Sequence, residues 1–127
     1  MRCLARHDEH TGAHPGGDEI FEHQYRDYFE RLVQQGVYVA SDTATDPVLA
    51  PMREAYLTPH DVRAMMDAAF TLNGQTFGVV CCEQIGRSRA WSTAEVIRLK
   101  RWAALITLHN ARLEREPSWW EGPVETV

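Results

Sequence analysis

The stretch that most constrains the fold is FTLNGQTFGVVCCEQIGRSRAW, residues 70–91. Asn73-Gly74 sits between two strand-like runs, and this pair suits a type I′ turn, in which both central residues need positive φ. The spacing predicts a hairpin with a first arm at about Met65–Leu72 and a second at Gln75–Glu83. The residues from Val62 read ambiguously, because Ala and Met favour a helix while the position before the turn favours a strand. On the second arm, Phe77, Val79 and Cys81 alternate with Thr76, Gly78, Val80 and Cys82. Both sets are largely apolar, as expected of a central strand covered on both sides. Gly78 marks a place where something approaches the backbone closely.

A loop, Ile85–Ala90, leads into the longest helix. Ser92 and Glu95 form a capping box, and Trp91 and Val96 can close a hydrophobic staple over it. From Thr93 to about Glu116, Val96, Leu99, Ala103, Ile106, Asn110 and Leu113 make one stripe, widened by Ile97, Leu105 and Leu108. Pro117 ends the helix, and 117–127 reads as a tail carrying Trp119 and Trp120.

Upstream, Arg2–His7 is a possible short strand, and 8–18 a Gly- and Pro-containing loop. Glu19–Gln35 is predicted helical, with Phe21, Tyr25, Tyr28, Phe29, Leu32 and Val33 on one stripe, Asp18 as N-cap and Gly36 as left-handed C-cap. Val37–Ser41 is a strand. Asp46-Pro47 opens a short amphipathic helix through Val48, Leu49, Met52, Ala55 and Tyr56.

Composition narrows the function. The chain has 127 residues, 44% of them apolar, and a net charge of −5. That suits one domain with its own core. An acidic chain with dispersed Lys and Arg is a poor nucleic-acid binder, so no nucleic-acid partner is expected. No apolar run has the roughly 18 residues of a membrane span, and MRCLARHDEH lacks a signal peptide's apolar stretch. With three cysteines, two of them adjacent, a disulfide framework is not expected, and a cytoplasmic location is.

Candidate chemistry is sparse. His7, His10, His14 and His23 match no metal-ligand spacing, so no metal site is expected. Asp42 and Asp46 could be paired carboxylates, but nothing nearby completes a catalytic set, and turn and capping duty is the better reading. Cys81 and Cys82 point to opposite faces of a strand and read as small core hydrophobes. No catalytic residue, cofactor or metal ligand is assigned.

Taken together, Tyr28-Phe29…Leu32, VYVASDTATDP at 37–47, Tyr56-Leu57 and MDAAFTLNGQTFGVVCCEQIGRSRAW with its capped helix resemble a GAF domain, a ligand-binding and signalling module of bacterial sensor kinases and diguanylate cyclases. Asp67, Gly74, Gly78, Val79, Cys81, Glu83, Gly86, Arg89 and Trp91 match the family's pattern in order. Ala69 and Arg26 stand where prolines are usual, and Gln84 where His is common. The usual first helix and strand are missing, so the expected domain, 1–116, is N-terminally incomplete. The resemblance implies an α/β (α+β) fold with a central, mostly antiparallel sheet, helices on both faces and a long C-terminal helix. It implies a small-molecule pocket roofed by 19–35 and 42–62, for which Tyr28, Tyr38, Asp42, Asp46, Tyr56, Asp67 and Phe77 are the candidates. The expected function is non-catalytic sensing of an unknown small molecule, with a homodimer through helix 93–116. The alternatives are a ligand-free dimerisation remnant and a Cys-dependent free methionine-R-sulfoxide reductase. A bilin or haem sensor is disfavoured, because no Cys-His pair is present.

Overall fold

The computed structural model describes residues 25–113. The readings for the strand at 2–7, the His-rich loop, the helix start at Asp18 and the tail lie outside them. Three strands form one antiparallel sheet in the order β1 (Val37–Ala40), β2 (Val62–Leu72), β3 (Gln75–Ile85). Helix α1 (Arg26–Gln35) precedes β1, and α3 (Thr93–Leu113) follows β3. Between β1 and β2 the chain coils through one irregular helical segment, 47–57. A 3-10 turn, Pro47–Leu49, runs into an α-helical turn, α2 (Ala50–Met52), and then a π-helical turn, Arg53–Leu57. This α+β arrangement, with its long last helix, is the fold class read from the sequence.

Local chemistry explains the boundaries. Asp46 accepts a hydrogen bond from the Val48 amide at 3.0 Å, and Pro47 follows at the first helical position. Gly36 ends α1 at φ 75°, its N–H donating to the Leu32 carbonyl at 2.8 Å. Asn73 and Gly74 take φ 54° and 75°, as a type I′ hairpin requires. Ser92 and Glu95 close the capping box reciprocally: the Ser92 amide donates to Glu95 Oε1 at 3.0 Å and the Glu95 amide to Ser92 Oγ at 3.1 Å.

β2 corrects one expectation: it is extended from Val62, not from about Met65. Its Ala and Met residues would favour a helix in isolation, but pairing on both edges overrides that propensity. Val37–Ala40 pair with Met65–Ala68 on one side, and β3 runs along the other. A bulge between Val62 and Ala64 is held by the 41–46 loop, where Thr43 donates its hydroxyl to the Val62 carbonyl at 2.6 Å and its amide to that of Arg63 at 2.9 Å.

Side chains alternate across the sheet, so each face has its own core. One face holds Tyr28 and Leu32 of α1, Leu49, Met52 and Leu57 of the irregular segment, and Tyr38, Val62 and Met65 of the strands. The other holds Met66 and Ala68 of β2 against Leu99 and Ala103 of α3, with Val80, Cys82, Trp91 and Val96 around them. The Trp91 indole also donates to the Ala40 carbonyl at 3.2 Å, tying the start of α3 to β1 across the sheet. β3 is less covered than a central strand should be. Among the described residues it pairs only with β2, and Phe77, Cys81 and Ile85 are exposed.

Candidate functional site

Among the described residues, the α1 face of the sheet carries three tyrosines hydrogen-bonded to carboxylates. Register puts Tyr38, Asp67 and Cys81 in one row across β1, β2 and β3. Tyr28, coming down from α1, hydrogen-bonds through its hydroxyl to Asp67 Oδ2. Its ring meets that of Tyr38 edge-on at 5.3 Å. Tyr38 in turn donates to Asp46 Oδ2 at 2.7 Å, and Tyr56 donates to Glu83 Oε1 at 2.7 Å. Three tyrosine–carboxylate pairs thus stand on one side of the sheet.

At their centre lies Asp67, only 2% exposed, with its Oδ1 buried and lacking a hydrogen-bond partner. Burial disfavours its charged form and pushes its pKa up to about 6, although hydrogen bonding with Tyr28 and with the Cys81 thiol pulls the other way. The Tyr28 hydroxyl is pushed far above its ordinary value, first by burial and then by the adjacent Asp67 charge. Tyr38 is raised by burial and by its bond to Asp46. On the opposite face, burial raises the Cys82 thiol.

Of the seven sequence candidates, Tyr28, Tyr38 and Asp67 meet directly, Asp46 joins through Tyr38, and Tyr56 through Glu83. Asp42 turns away. Its Oδ1 accepts from the Ala44 amide at 3.0 Å and lies 3.8 Å from Arg63. Phe77 is at the hairpin end, its ring 6.0 Å from that of Phe70. Glu83 and Cys81, which lie in this cluster, were not among the sequence candidates. The alternation that carried Phe77 also carries both to the same face, and that signal could have found them. The reading of Cys81 as core packing is corrected: its side chain is exposed, while Cys82 is partly buried behind α3. Among the described residues no group of three or more His, Cys, Asp or Glu side chains could hold a metal ion, and no helix is long and apolar enough to cross a membrane.

No curated protein matches the sequence. Solved structures share the fold. The blue-light absorbing form of the Thermosynechococcus elongatus PixJ GAF domain aligns with TM-score 0.64 at 19% identity, over 82% of this chain and 60% of that one. This chain therefore spans less than two thirds of that structure. A GAF domain of Synechocystis sp. PCC6803 in its photoproduct state gives TM-score 0.59 at 13% identity, over 91% of this chain and 87% of that one. A domain of a sensor histidine kinase protein from Sinorhizobium meliloti gives 0.56 at 12%, over 91% and 80%. A family model for the GAF domain matches residues 5–109. That match spans the sheet, the hairpin and the capped start of α3, and the chain belongs to the GAF domain family.

Proposed function

We propose that this chain is the non-catalytic sensory module of a signal-transduction protein, taking a small ligand on the α1 face of its sheet and passing the event to α3. The observation that supports it is the buried Oδ1 of Asp67, an acceptor with no donor, set among three tyrosine–carboxylate pairs. An unsatisfied buried acceptor costs about 1–3 kcal/mol, and a ligand N–H or O–H reaching it would offset that cost. Asp67 and Glu83 make the site rich in acceptors, so the fitting ligand is neutral or cationic and donates hydrogen bonds, whereas phosphates are disfavoured. Coupling needs only that the ligand prefer one of two arrangements of the sheet and helix. Asp67 is flanked on β2 by Met66 and Ala68, whose side chains pack on the α3 side.

A thermal-shift screen of amines, amidines and nucleobases against cyclic nucleotides tests the reading. A true ligand at ~100 times its dissociation constant adds about 2.7 kcal/mol of stability. That gain should vanish in Asp67→Asn, and a gain that survives the substitution, or is confined to phosphates, would overturn the reading. A specific observation favours the ligand-free module as a second reading. Tyr28, Leu32, Leu49, Met52 and Leu57 fill this face with the chain's own side chains. In that case no donor ligand stabilises the protein. Turnover of methionine-R-sulfoxide that is lost in Cys81→Ser would instead move the reading to the reductase.

A further inference from the structure

α3 has a second apolar side. Away from the buried Leu99 and Ala103, the helix presents Ile97, Trp102, Leu105 and Leu108, from 45% exposed at Ile97 to 67% at Leu108. Ile97, Arg101, Ala104 and Leu108 follow one another at spacings of four, three and four, the rhythm of a seam that receives another helix. Arg101 is thus a cation set into an apolar seam. Arg98, Lys100 and Arg112 are exposed around it, and none of the four is ion-paired among the described residues. Glu95, the one acid of the helix, is committed to Arg89 and to its cap.

The seam borders a groove. About 460 Å³ lie open between α3 and the sheet, walled by Gly36, Ala69 and Ala104, with Lys100 and Leu108 on the helix side. A Cβ placed on Gly36 would meet no atom within 4 Å. Val39 lies opposite Met66 in the register, on the side of the sheet that packs on α3, yet it is 41% exposed. The helix therefore leaves part of β1 uncovered, and the small residues beside it leave room for side chains from outside.

Spacing, charge and shape together select the occupant. A pair of α3 helices would gather eight cations around two carboxylates that are already engaged, so pairing with a second copy is penalised. A flat lipid surface could meet the outer stripe but could not enter a groove between helix and sheet. A helix bearing acidic residues can do both, with its apolar ridge in the groove and its carboxylates on Lys100 and Arg101. Arg101 supplies the selectivity, because a partner helix without an acid there would bury an unpaired guanidinium.

We propose that the Ile97–Leu108 seam of α3 and the adjoining groove dock an acidic amphipathic helix of another protein, with one Asp or Glu of that helix set against Arg101. The proposal is independent of any ligand on the α1 face.

The full chain is tested by fluorescence anisotropy with a labelled amphipathic peptide of about three heptads, carrying Leu at its seam positions, Glu on its flanks and one Glu within the seam. A counterpart has Lys for every Glu. The Glu peptide should bind about tenfold or more tightly than the Lys peptide. Lys100→Glu/Arg101→Glu should reverse that preference, and Lys100→Gln/Arg101→Gln, which removes the charges alone, should abolish it. Leu108→Ala should weaken the Glu peptide and leave the preference in place. Circular dichroism melts confirm that each variant is folded. Equal binding of the two peptides, a preference that survives the charge changes, or no binding of the Glu peptide at about 1 mM would overturn the proposal. Two further results would do the same by assigning the face to another occupant: phosphatidylserine-containing vesicles that the Glu peptide does not displace, or a dimer of this chain in light scattering that it does not dissociate.

Discussion

Asp67 holds a buried carboxylate at the centre of the sheet, and the physical cost has a sign. Its folded pKa, about 6, lies above the ordinary carboxylate value of 3.8. The native state therefore binds the proton more readily than the unfolded chain. The stability this lends is fully present below about pH 4 and is lost as pH rises through 6. A gap of about 2 between the two pKa values corresponds to roughly 3 kcal/mol. Asp67→Asn keeps an acceptor for the Tyr28 hydroxyl and removes the charge. Urea denaturation from pH 4 to 8 should find the variant at least as stable as the parent at pH 7.5, with a flatter pH profile over that range. A variant less stable at neutral pH with an unchanged profile would show that Asp67 is not the group that titrates. A gain in stability bought with loss of ligand response is what a functional carboxylate should give.

At the scale of the element, the hairpin shows how much was legible. Asn73-Gly74, Ser92–Glu95 and Asp46-Pro47 each carry a local hydrogen-bonding or φ requirement, and each landed where the sequence placed it. Alternation sorted Val79 and Cys81 from Val80 and Cys82 correctly. The misreadings were tertiary in cause. Nothing local to Val62–Ala64 tells that β1 and β3 will pair with the strand they begin, and nothing local to Cys81 tells how open its face is. Alternation also tells which residues share the α1 face, and following it past Phe77 along β3 leads to Glu83, which pairs with Tyr56 there. Gly78 was read as a close approach, and the partner proves to be Phe70. A Cβ at Gly78 would lie 2.4 Å from Phe70 Cζ, so the ring must move. Gly78→Ala should cost about 1–3 kcal/mol by chemical denaturation. Phe70→Leu should relieve most of that cost in the double variant, and additive losses would rule out the clash as the cause.

Across the whole molecule, the two faces of the sheet are unequally anchored. The α1 face buries a continuous set of large side chains from four elements, whereas among the described residues α3 places only Leu99 and Ala103 fully inside. The amides of Met65–Ala68 are bracketed by strands on both edges. Hydrogen exchange should find them the slowest in the chain, with the half of α3 beyond Ala103 opening about tenfold faster or more. Equal protection in both regions would mean that the helix and sheet unfold as one unit. A lightly held helix on a firmly held sheet is what the proposed signalling through α3 requires, since a small bias can then move one part without melting the other.

The alternation of β2 has a consequence for anyone who maps this domain by substitution. Successive residues of one strand serve opposite sides: Asp67 faces the polar cluster, while Met66 and Ala68 face α3. The polar cluster and the α3 packing face are therefore separated by the thickness of one sheet, a single peptide bond along the chain. From Met65 to Phe70 a scan of this strand should yield phenotypes that change with every step, odd positions disturbing the α1 face and even ones the packing of α3, so that neighbours in sequence are the least informative guides to one another.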